Sequence, residues 1–240
     1  MTRYLLGSII ALFFFACAYA AQPEIVFIAP SNHAMPWAQF KNEKLSGGLL
    51  KDLGELIAAR LARKAKFIVV PSNRVRGVLL GGSADALCYV RPEWIDGNYN
   101  WTPSLIKDGA AVVARSGAPV IHTLADLHNL PVGTVIGYRY PEIESALGQG
   151  FVREDAPSME SNMRKLVAGR MEYAILEKMV LDYHLRKDKS IQLRVELLYI
   201  SFEAQCAFSL SSKIPFANVT RVIKQINEDG SANEIFSRYR

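Results

Sequence analysis

The segment from Phe67 to Trp94 constrains the fold of this 240-residue chain more than any other. It starts with a short apolar, β-branched run that predicts a strand buried on both faces, and a polar turn follows. Apolar residues at helical spacing then continue to Gly81 and Gly82, and the run 84–90 predicts a second strand. A strand–helix–strand unit this short implies parallel strands, so the predicted fold class is α/β.

The carboxyl ends of these two strands carry cations and an aromatic ring. The residues concerned are Asn73, Arg74, Arg76, Arg91 and Trp94. Open parallel sheets bind ligands at this edge, so these side chains are candidates for a binding site. Arg74 would offer its guanidinium group to an anionic ligand; the alternatives are a solvated arginine or a salt bridge to Asp52 or Glu93.

Residues 1–20 have the organisation of a secretory signal peptide. Arg3 provides the positive charge, an apolar run follows, and Ala18-Tyr19-Ala20 forms a cleavage site that predicts a mature start at Ala21. This order predicts a periplasmic location. The alternative is a buried N-terminal helix.

Composition and charge restrict the class of partner. Half of the residues are hydrophobic, which is enough for one large domain or two small lobes. The formal net charge of +5 falls to +4 without Arg3, and the cations are spread along the chain, which argues against a nucleic-acid partner. The four histidines lack metal-ligand spacing, and we expect neither a metal nor another cofactor.

Cys88 and Cys206 remain as an even pair once the segment that contains Cys17 is removed. In an oxidising compartment, such a pair predicts a disulfide. The alternative is two buried free thiols, because both cysteines lie in apolar, strand-like runs.

A long polar loop, from Pro30 to Gly48, follows a first predicted strand at 24–29. Its aromatic residues would form one wall of a ligand site, or would fold inward beneath a surface loop. On the first interpretation, Trp37 and Trp94 cover an apolar or cationic ligand. Trp94 is equally compatible with a role in the core.

The order of elements in the first half recurs between residues 131 and 185. Each half reads strand, glycine-bearing turn, helix, helix, glycine, acidic residue and strand, with LLGGSADAL matching LVAGRMEYAIL. Two similar α/β halves predict two lobes with a cleft between them. Two later strands, at 195–200 and 205–210, and two terminal helices complete the predicted chain.

Several short motifs follow one another in a characteristic order. They are Gly48-x-x-x-Asp52-Leu53, Leu80-x-Gly82-x-x-Asp85, Trp101-Thr102-Pro103-Ser104, Val132-Gly133 with Gly137, Leu166-x-x-Gly169-Arg170-x-Glu172-x-Ala174 and Asn227-x-Asp229-Gly230. Together they resemble the bacterial extracellular solute-binding proteins of family 3, receptors that are often paired with amino-acid ABC importers. The likeness covers nearly the whole chain after the signal peptide.

The resemblance implies the two-lobed periplasmic-binding-protein type II fold. Each lobe would be a doubly wound, mostly parallel sheet, and two hinge crossovers would join lobe 1 (21–112 plus 200–240) to lobe 2 (113–199). This layout would bring the strands of Cys88 and Cys206 into one sheet. The implied function is non-enzymatic capture of a small polar solute, amino-acid-like or a related amine or acid, by a monomer that works with an inner-membrane ABC permease or a sensor.

The resemblance also suggests roles for individual residues. Glu177 occupies the position of the acidic residue that receives a ligand ammonium group. The arginine that usually holds the ligand carboxylate is missing, since Ile95 stands near its expected position, and Arg74 or Arg91 would have to replace it.

In the second lobe, Tyr138 and Arg139 follow Gly137 at a turn that would present backbone N–H groups to an anion. The alternative for Arg139 is a surface residue at the start of a helix.

Two other functions are compatible with the same scaffold. One is a sensory or accessory binding protein without its own transporter. The other is a lyase or dehydratase with Glu177 or Glu172 as general base. The sequence contains no Ser-His-Asp set or cofactor loop that would favour an enzyme.

Overall fold

The computed structural model describes residues 22–239, which form an α/β fold with seven α-helices and eleven strands in the described part. The predicted signal peptide and its cleavage site lie outside the described residues.

The first half of the sheet contains the predicted strand–helix–strand unit. Its strands and helices are β1 (Glu24–Pro30), α1 (Leu49–Arg60), β4 (Lys64–Val70), α2 (Ser72–Leu80) and β5 (Ala86–Val90). Strand β1 lies between β4 and β5 and is parallel to both, which confirms the expected parallel arrangement. The predicted loop 30–48 differs, because it contains a short hairpin of β2 (Gln39–Lys41) and β3 (Lys44–Gly47).

The expectation that the strand at 67–70 is buried on both faces is wrong. Strand β4 lies at the edge of the sheet, and only Val70 of its seven residues is buried. An apolar run of four residues fits a half-covered edge strand as well as a central one, so composition alone does not distinguish them.

The second half of the sheet repeats this organisation. It contains β8 (Pro131–Val135), α3 (Pro141–Leu147), β9 (Val152–Ala156), α4 (Met159–Val167), β10 (Tyr173–Glu177) and α5 (Lys178–Lys187). Strand β8 is parallel to both β9 and β10. Strand β9, which has one buried residue, Ala156, among its five, was not predicted from the sequence.

Two long antiparallel strands connect the halves. They are β7 (Ile106–Arg115) and β11 (Leu193–Phe208). We expected two strands in this region, but β11 is continuous. Its pairing with β5 and β7 is irregular at three points, and these irregularities shift the register without ending the strand. The strand order is β4-β1-β5-β11-β7-β10-β8-β9, and β6 (Asn100–Trp101) also pairs with β11.

The C-terminal segment returns to the first half. Helices α6 (Phe216–Glu228) and α7 (Ser231–Ser237) are separated at Asp229 and Gly230, as predicted, and both contact α1. Cys88 and Cys206 lie opposite each other on β5 and β11 and form a disulfide. Within residues 22–239, none of the helices has the length and apolar character needed to cross a membrane.

Candidate functional site

A cavity of about 250 Å³ lies between the two halves, although their strands form one hydrogen-bonded series. Its walls come from both halves and from the connecting strands, and they are mostly aromatic or aliphatic. The polar and aromatic lining residues are His33, Ser72, Asn73, Arg76, Tyr89, Trp94, Asp96, Tyr138, Arg139, Tyr140, Glu142, Glu177, Tyr199 and Phe202.

Glu177 is the most deeply buried charged residue that lines the cavity. It ends β10, immediately before α5, and its side chain is 5% exposed. One carboxylate oxygen, Oε2, is shielded from solvent and has no hydrogen-bond partner among residues 22–239. Burial, and then the nearby Asp108 carboxylate, raise the pKa of Glu177 well above its usual value, although the neighbouring Tyr89 and Trp37 donors act in the opposite direction.

Asp108, on β7, is a second carboxylate nearby; it is half-buried, and its hydrogen bonds are satisfied. It accepts hydrogen bonds from the Tyr89 hydroxyl at 2.7 Å and from the backbone N–H groups of Gly109 at 2.7 Å and Met179 at 3.1 Å. Burial outweighs these donors and raises the pKa of Asp108 to about 6. We call Glu177, Asp108 and Tyr89 the acid end of the cavity.

A β-bulge directs Tyr89 toward this site. Cys88 and Val90 pair with consecutive residues of β11, which leaves Tyr89 as the extra residue, with a φ of 63°. A non-glycine residue in this region costs about 1–3 kcal/mol, and such residues are common at functional sites. The bulge brings the Tyr89 hydroxyl to Asp108 and places its ring against Trp37, with ring centroids 3.6 Å apart.

His33 and Tyr138 connect the two halves across the cavity. The Tyr138 hydroxyl lies 3.1 Å from Nδ1 of His33. Burial lowers the pKa of His33 to about 4, so this imidazole is neutral near pH 7. Burial also raises the pKa of Tyr138 well above its usual value, and the negative charge of Glu177 adds to that rise.

The rim of the cavity is more exposed, and we define it as Arg76, Asp96 and Arg139. The Arg139 guanidinium lies 2.6 Å from the Asp96 carboxylate, with 45% and 76% of the two side chains exposed. Arg76 donates from Nε to the Asp96 backbone oxygen at 3.2 Å. The Arg139–Asp96 ion pair therefore joins the two halves at the rim, and Arg76 adds a cation that makes no ion pair within residues 22–239.

Arg91 lies beside the cavity and is also paired. Its guanidinium group is 3.0 Å from Glu142 and 3.2 Å from Glu93. The same group lies 5.4 Å from the ring centroid of Trp94 and 5.6 Å from that of Phe202.

A buried asparagine makes a further connection between the halves. The Asn32 side chain accepts a hydrogen bond from the Ser72 N–H at 2.9 Å and donates to the Pro157 oxygen at 2.8 Å. Gly137 packs against the start of α2 with a φ of 80°, and a Cβ there would lie 2.9 Å from the Asn73 nitrogen. Only glycine combines this backbone conformation with such a close approach.

Of the seven residues selected from the sequence, Trp94, Tyr138, Arg139 and Glu177 line the cavity. Trp37 is fully buried behind Tyr89, and Arg91 is held beside the cavity wall. Arg74 is exposed, does not line the cavity, and has no ion pair within residues 22–239.

Sequence reasoning missed several residues at the site, chiefly Tyr89, Asp108, Tyr199 and Phe202. Asp108 had a weak signal, since it is a charged residue near the start of an apolar strand. Strand β11 contains two aromatic residues before its last residue, Tyr199 and Phe202, and this pair could have been noticed in the sequence. Tyr89 had no signal, because its orientation depends on the bulge. In the described part of the chain, no three His, Cys, Asp or Glu side chains form a metal-binding group.

The chain was compared with known proteins. No protein-family model matches the sequence, and no curated protein matches it either. Solved structures do match: an ancestral arginine-binding protein bound to arginine has a TM-score of 0.78 and 17% identity, over 92% of this chain and 99% of that one. The substrate-binding protein of an amino acid ABC transporter has a TM-score of 0.73 and 16% identity, over 90% and 98% of the two chains.

A third similar structure is an ancestral amino acid-binding protein described as a precursor of cyclohexadienyl dehydratase. It has a TM-score of 0.74 and 16% identity, over 90% of this chain and 94% of that one. These matches extend over nearly the whole length of both partners, and at this level of identity they establish the fold. The chain therefore has the two-lobed fold of the amino-acid substrate-binding proteins.

Proposed function

We propose that this protein is a non-enzymatic solute-binding protein that captures one small polar solute, amino-acid-like or a related amine or acid. The observation that carries the proposal is the buried Glu177 carboxylate in an aromatic cavity between two halves. Enclosed, mostly apolar cavities with a few polar groups are typical of small-molecule sites. A volume of about 250 Å³ equals that of roughly eight water molecules, which suits a solute of amino-acid size.

The contacts between the halves support a mechanism of capture by closure. The Arg139–Asp96 pair, the His33–Tyr138 contact and the Asn32–Pro157 hydrogen bond all join residues of the two halves. A solute bound between the halves would add further contacts and stabilise the closed form. The closed form would then be recognised by a membrane partner, either an ABC permease or a sensor.

The division into lobes is part of this proposal. Lobe 1 would comprise residues 21–112 and 200–240, and lobe 2 would comprise residues 113–199. This assignment is supported by β11, whose residues near its C-terminal end pair with β5 and whose earlier residues pair with β7. We also propose that the protein is a monomer located in the periplasm; the signal-like N-terminal sequence supports the location.

An enzyme on the same scaffold is the second candidate, and one observation favours it. A buried carboxyl group with a raised pKa, such as Glu177, is what a general acid requires. The other acid considered, Glu172, is half exposed, forms a salt bridge with Arg115 at 2.9 Å, and does not line the cavity. Glu172 therefore does not provide a second catalytic carboxylate beside Glu177. For this reason we favour a binding protein over an enzyme.

A thermal-shift screen of the purified protein tests the proposed function. The panel contains amino acids, amines and guanidines, organic acids and neutral polar solutes of similar size. A solute at a hundred times its Kd stabilises the folded state by about 2.7 kcal/mol, which raises the Tm of a protein of this size by roughly 5–10 °C. No shift with any class would contradict the proposal, and turnover of a stabilising solute would favour the enzyme.

A further inference from the structure

Two of the arginines around the cavity are already neutralised by the protein itself. Arg139 pairs with Asp96 at the rim, and Arg91 pairs with Glu142 and Glu93. Arg76, the other arginine that lines the cavity, is exposed, donates to the Asp96 backbone oxygen and makes no ion pair within residues 22–239. A ligand carboxylate would therefore have to displace an internal partner of Arg139 or Arg91, or pair with Arg76 at an exposed position where water screens the interaction.

The helix N-termini at the cavity are occupied as well. Backbone N–H groups at a helix N-terminus commonly bind anions. At the start of α2, the Ser72 N–H donates to Asn32 Oδ1 at 2.9 Å. At the start of α5, the Met179 N–H donates to the Asp108 carboxylate at 3.1 Å, so the chain's own carboxylate occupies the position that a ligand anion would take.

At the acid end of the cavity, in contrast, one carboxylate oxygen lacks a partner within the described residues. Glu177 has a buried oxygen without a hydrogen-bond partner among residues 22–239. Of the three acids that line the cavity, Asp96 pairs with Arg139 and Glu142 pairs with Arg91, whereas Glu177 makes no ion pair within residues 22–239. A bound cation would give the Glu177 carboxylate a partner.

The walls of the cavity also suit a cation. Tyr89, Trp94, Tyr138, Tyr199 and Phe202 present aromatic rings, which attract cations to their faces. Arg91 already uses this interaction with Trp94 and Phe202 from beside the cavity. The same aromatic wall is therefore compatible with ammonium or guanidinium groups.

We propose that the solute is an organic cation without a carboxylate, an amine or a guanidine, whose positive group binds at Glu177. This inference rests on the proposed function, since it specifies the solute of the same cavity. A zwitterion with the same side chain would bring a carboxylate into a cavity where Arg139 is already paired and Arg76 is exposed to water. That carboxylate would gain little from the screened Arg76 and would lie near Asp96 and Glu142, so the zwitterion is expected to bind more weakly.

Isothermal titration with matched pairs tests this proposal. Each pair consists of an amino acid and the amine that results from removing its carboxylate: lysine and 1,5-diaminopentane, arginine and agmatine, phenylalanine and phenethylamine. Glutarate represents the anions. At least one amine should bind with a Kd at least tenfold below that of its amino acid, and Glu177→Gln, which keeps the side-chain shape, should weaken this binding by about thirtyfold or more.

The other outcomes are distinguishable. If the amino acid binds as tightly as its amine in every pair, or if glutarate or only a neutral solute binds, the cation proposal is overturned and the proposed function stands. If none of the classes in the wider thermal-shift panel binds, both proposals fall. If an amine binds but Glu177→Gln binds it equally well, the assignment of its positive group to Glu177 is wrong.

Discussion

The acid end and the rim contain similar charged groups in very different surroundings. At the rim, Arg139 and Asp96 neutralise each other and remain largely exposed to water. At the acid end, Glu177 is buried beside another carboxylate and makes no ion pair with a cation among residues 22–239. An exposed pair contributes little free energy, whereas an uncompensated buried charge is costly until a partner arrives. We therefore expect the acid end to determine affinity and the rim to make a small contribution to closure.

The largest expected effect comes from replacing the Glu177 carboxylate at the acid end with a neutral amide. Glu177→Gln should weaken binding of the solute by about thirtyfold or more, because removing one partner of a buried charge pair costs roughly 2–5 kcal/mol. Glu142→Gln is the matched control, since Glu142 also lines the cavity but is paired with Arg91. Titration calorimetry should show at most about a fivefold change for Glu142→Gln. Equal losses in both variants would contradict the distinction.

A smaller effect is expected from the hydroxyl that supports the acid end. Tyr89→Phe removes the hydrogen bond to Asp108 and raises the pKa of Asp108, because that donor lowers it. We expect a loss of about 1.5 kcal/mol in unfolding free energy and a fivefold to tenfold loss in affinity, roughly 1–1.4 kcal/mol.

Tyr99→Phe is the control for this variant. Tyr99 also donates through its hydroxyl, to the Asp96 oxygen at 3.0 Å, but it does not line the cavity. Chemical denaturation should show some destabilisation in both variants, and only Tyr89→Phe should change the affinity. An unchanged affinity in Tyr89→Phe would remove Tyr89 from the acid end.

The rim should respond weakly and in a salt-dependent manner. Arg139→Ala removes an exposed ion pair worth up to about 1 kcal/mol, so affinity should fall less than about fivefold. The difference from the unmodified protein should shrink as salt is added, because exposed pairs are screened. Arg164→Ala, which breaks a surface pair with Glu160 on α4, should leave binding unchanged. A thirtyfold loss in Arg139→Ala would move the main binding energy to the rim.

Arg74 provides the smallest predicted effect. Its side chain is exposed and does not line the cavity, so Arg74→Ala should change the affinity by less than about twofold. Titration of this variant beside Glu177→Gln compares two residues that the sequence analysis selected as candidates for ligand binding. A large loss would indicate that the α2 segment moves toward the solute on binding.

The sequence predicted elements that depend on local periodicity. The run that forms β5, the helix ended by Gly81 and the strand that ends at Glu177 were all found from residue spacing and turn residues. Glu177 itself was selected through the resemblance to the solute-binding proteins of family 3 and not through these local features. These features depend on neighbours within a few residues along the chain.

The remaining features depend on contacts between distant parts of the chain. The orientation of Tyr89 follows from a bulge in the pairing of β5 with β11. These two strands are far apart in the sequence, since Cys88 and Cys206, which lie opposite each other, are separated by 118 residues. Arg91 is neutralised by Glu142 from the other half. The exposure of β4 results from its position at the sheet edge. None of these follows from local spacing or propensity.

The most direct test of the central claim is the number of protons exchanged when the solute binds. Burial keeps the pKa of Glu177 raised in the free protein, and a bound cation would favour its ionised form. Affinity should therefore rise with pH, by up to about tenfold per unit, until Glu177 ionises. Among the groups that face it, His33 has a pKa of about 4 and stays neutral, and the pKa values of Tyr89 and Tyr138 are raised.

Calorimetry at mildly acidic pH in two buffers of different ionisation enthalpy measures this number. The account predicts release of nearly one proton per solute bound. Asp108, with a pKa of about 6, would add to the release, and Asp108→Asn should retain the part that comes from Glu177. Binding with no proton exchange, or with proton uptake, would contradict the account of a cation held by the Glu177 carboxylate.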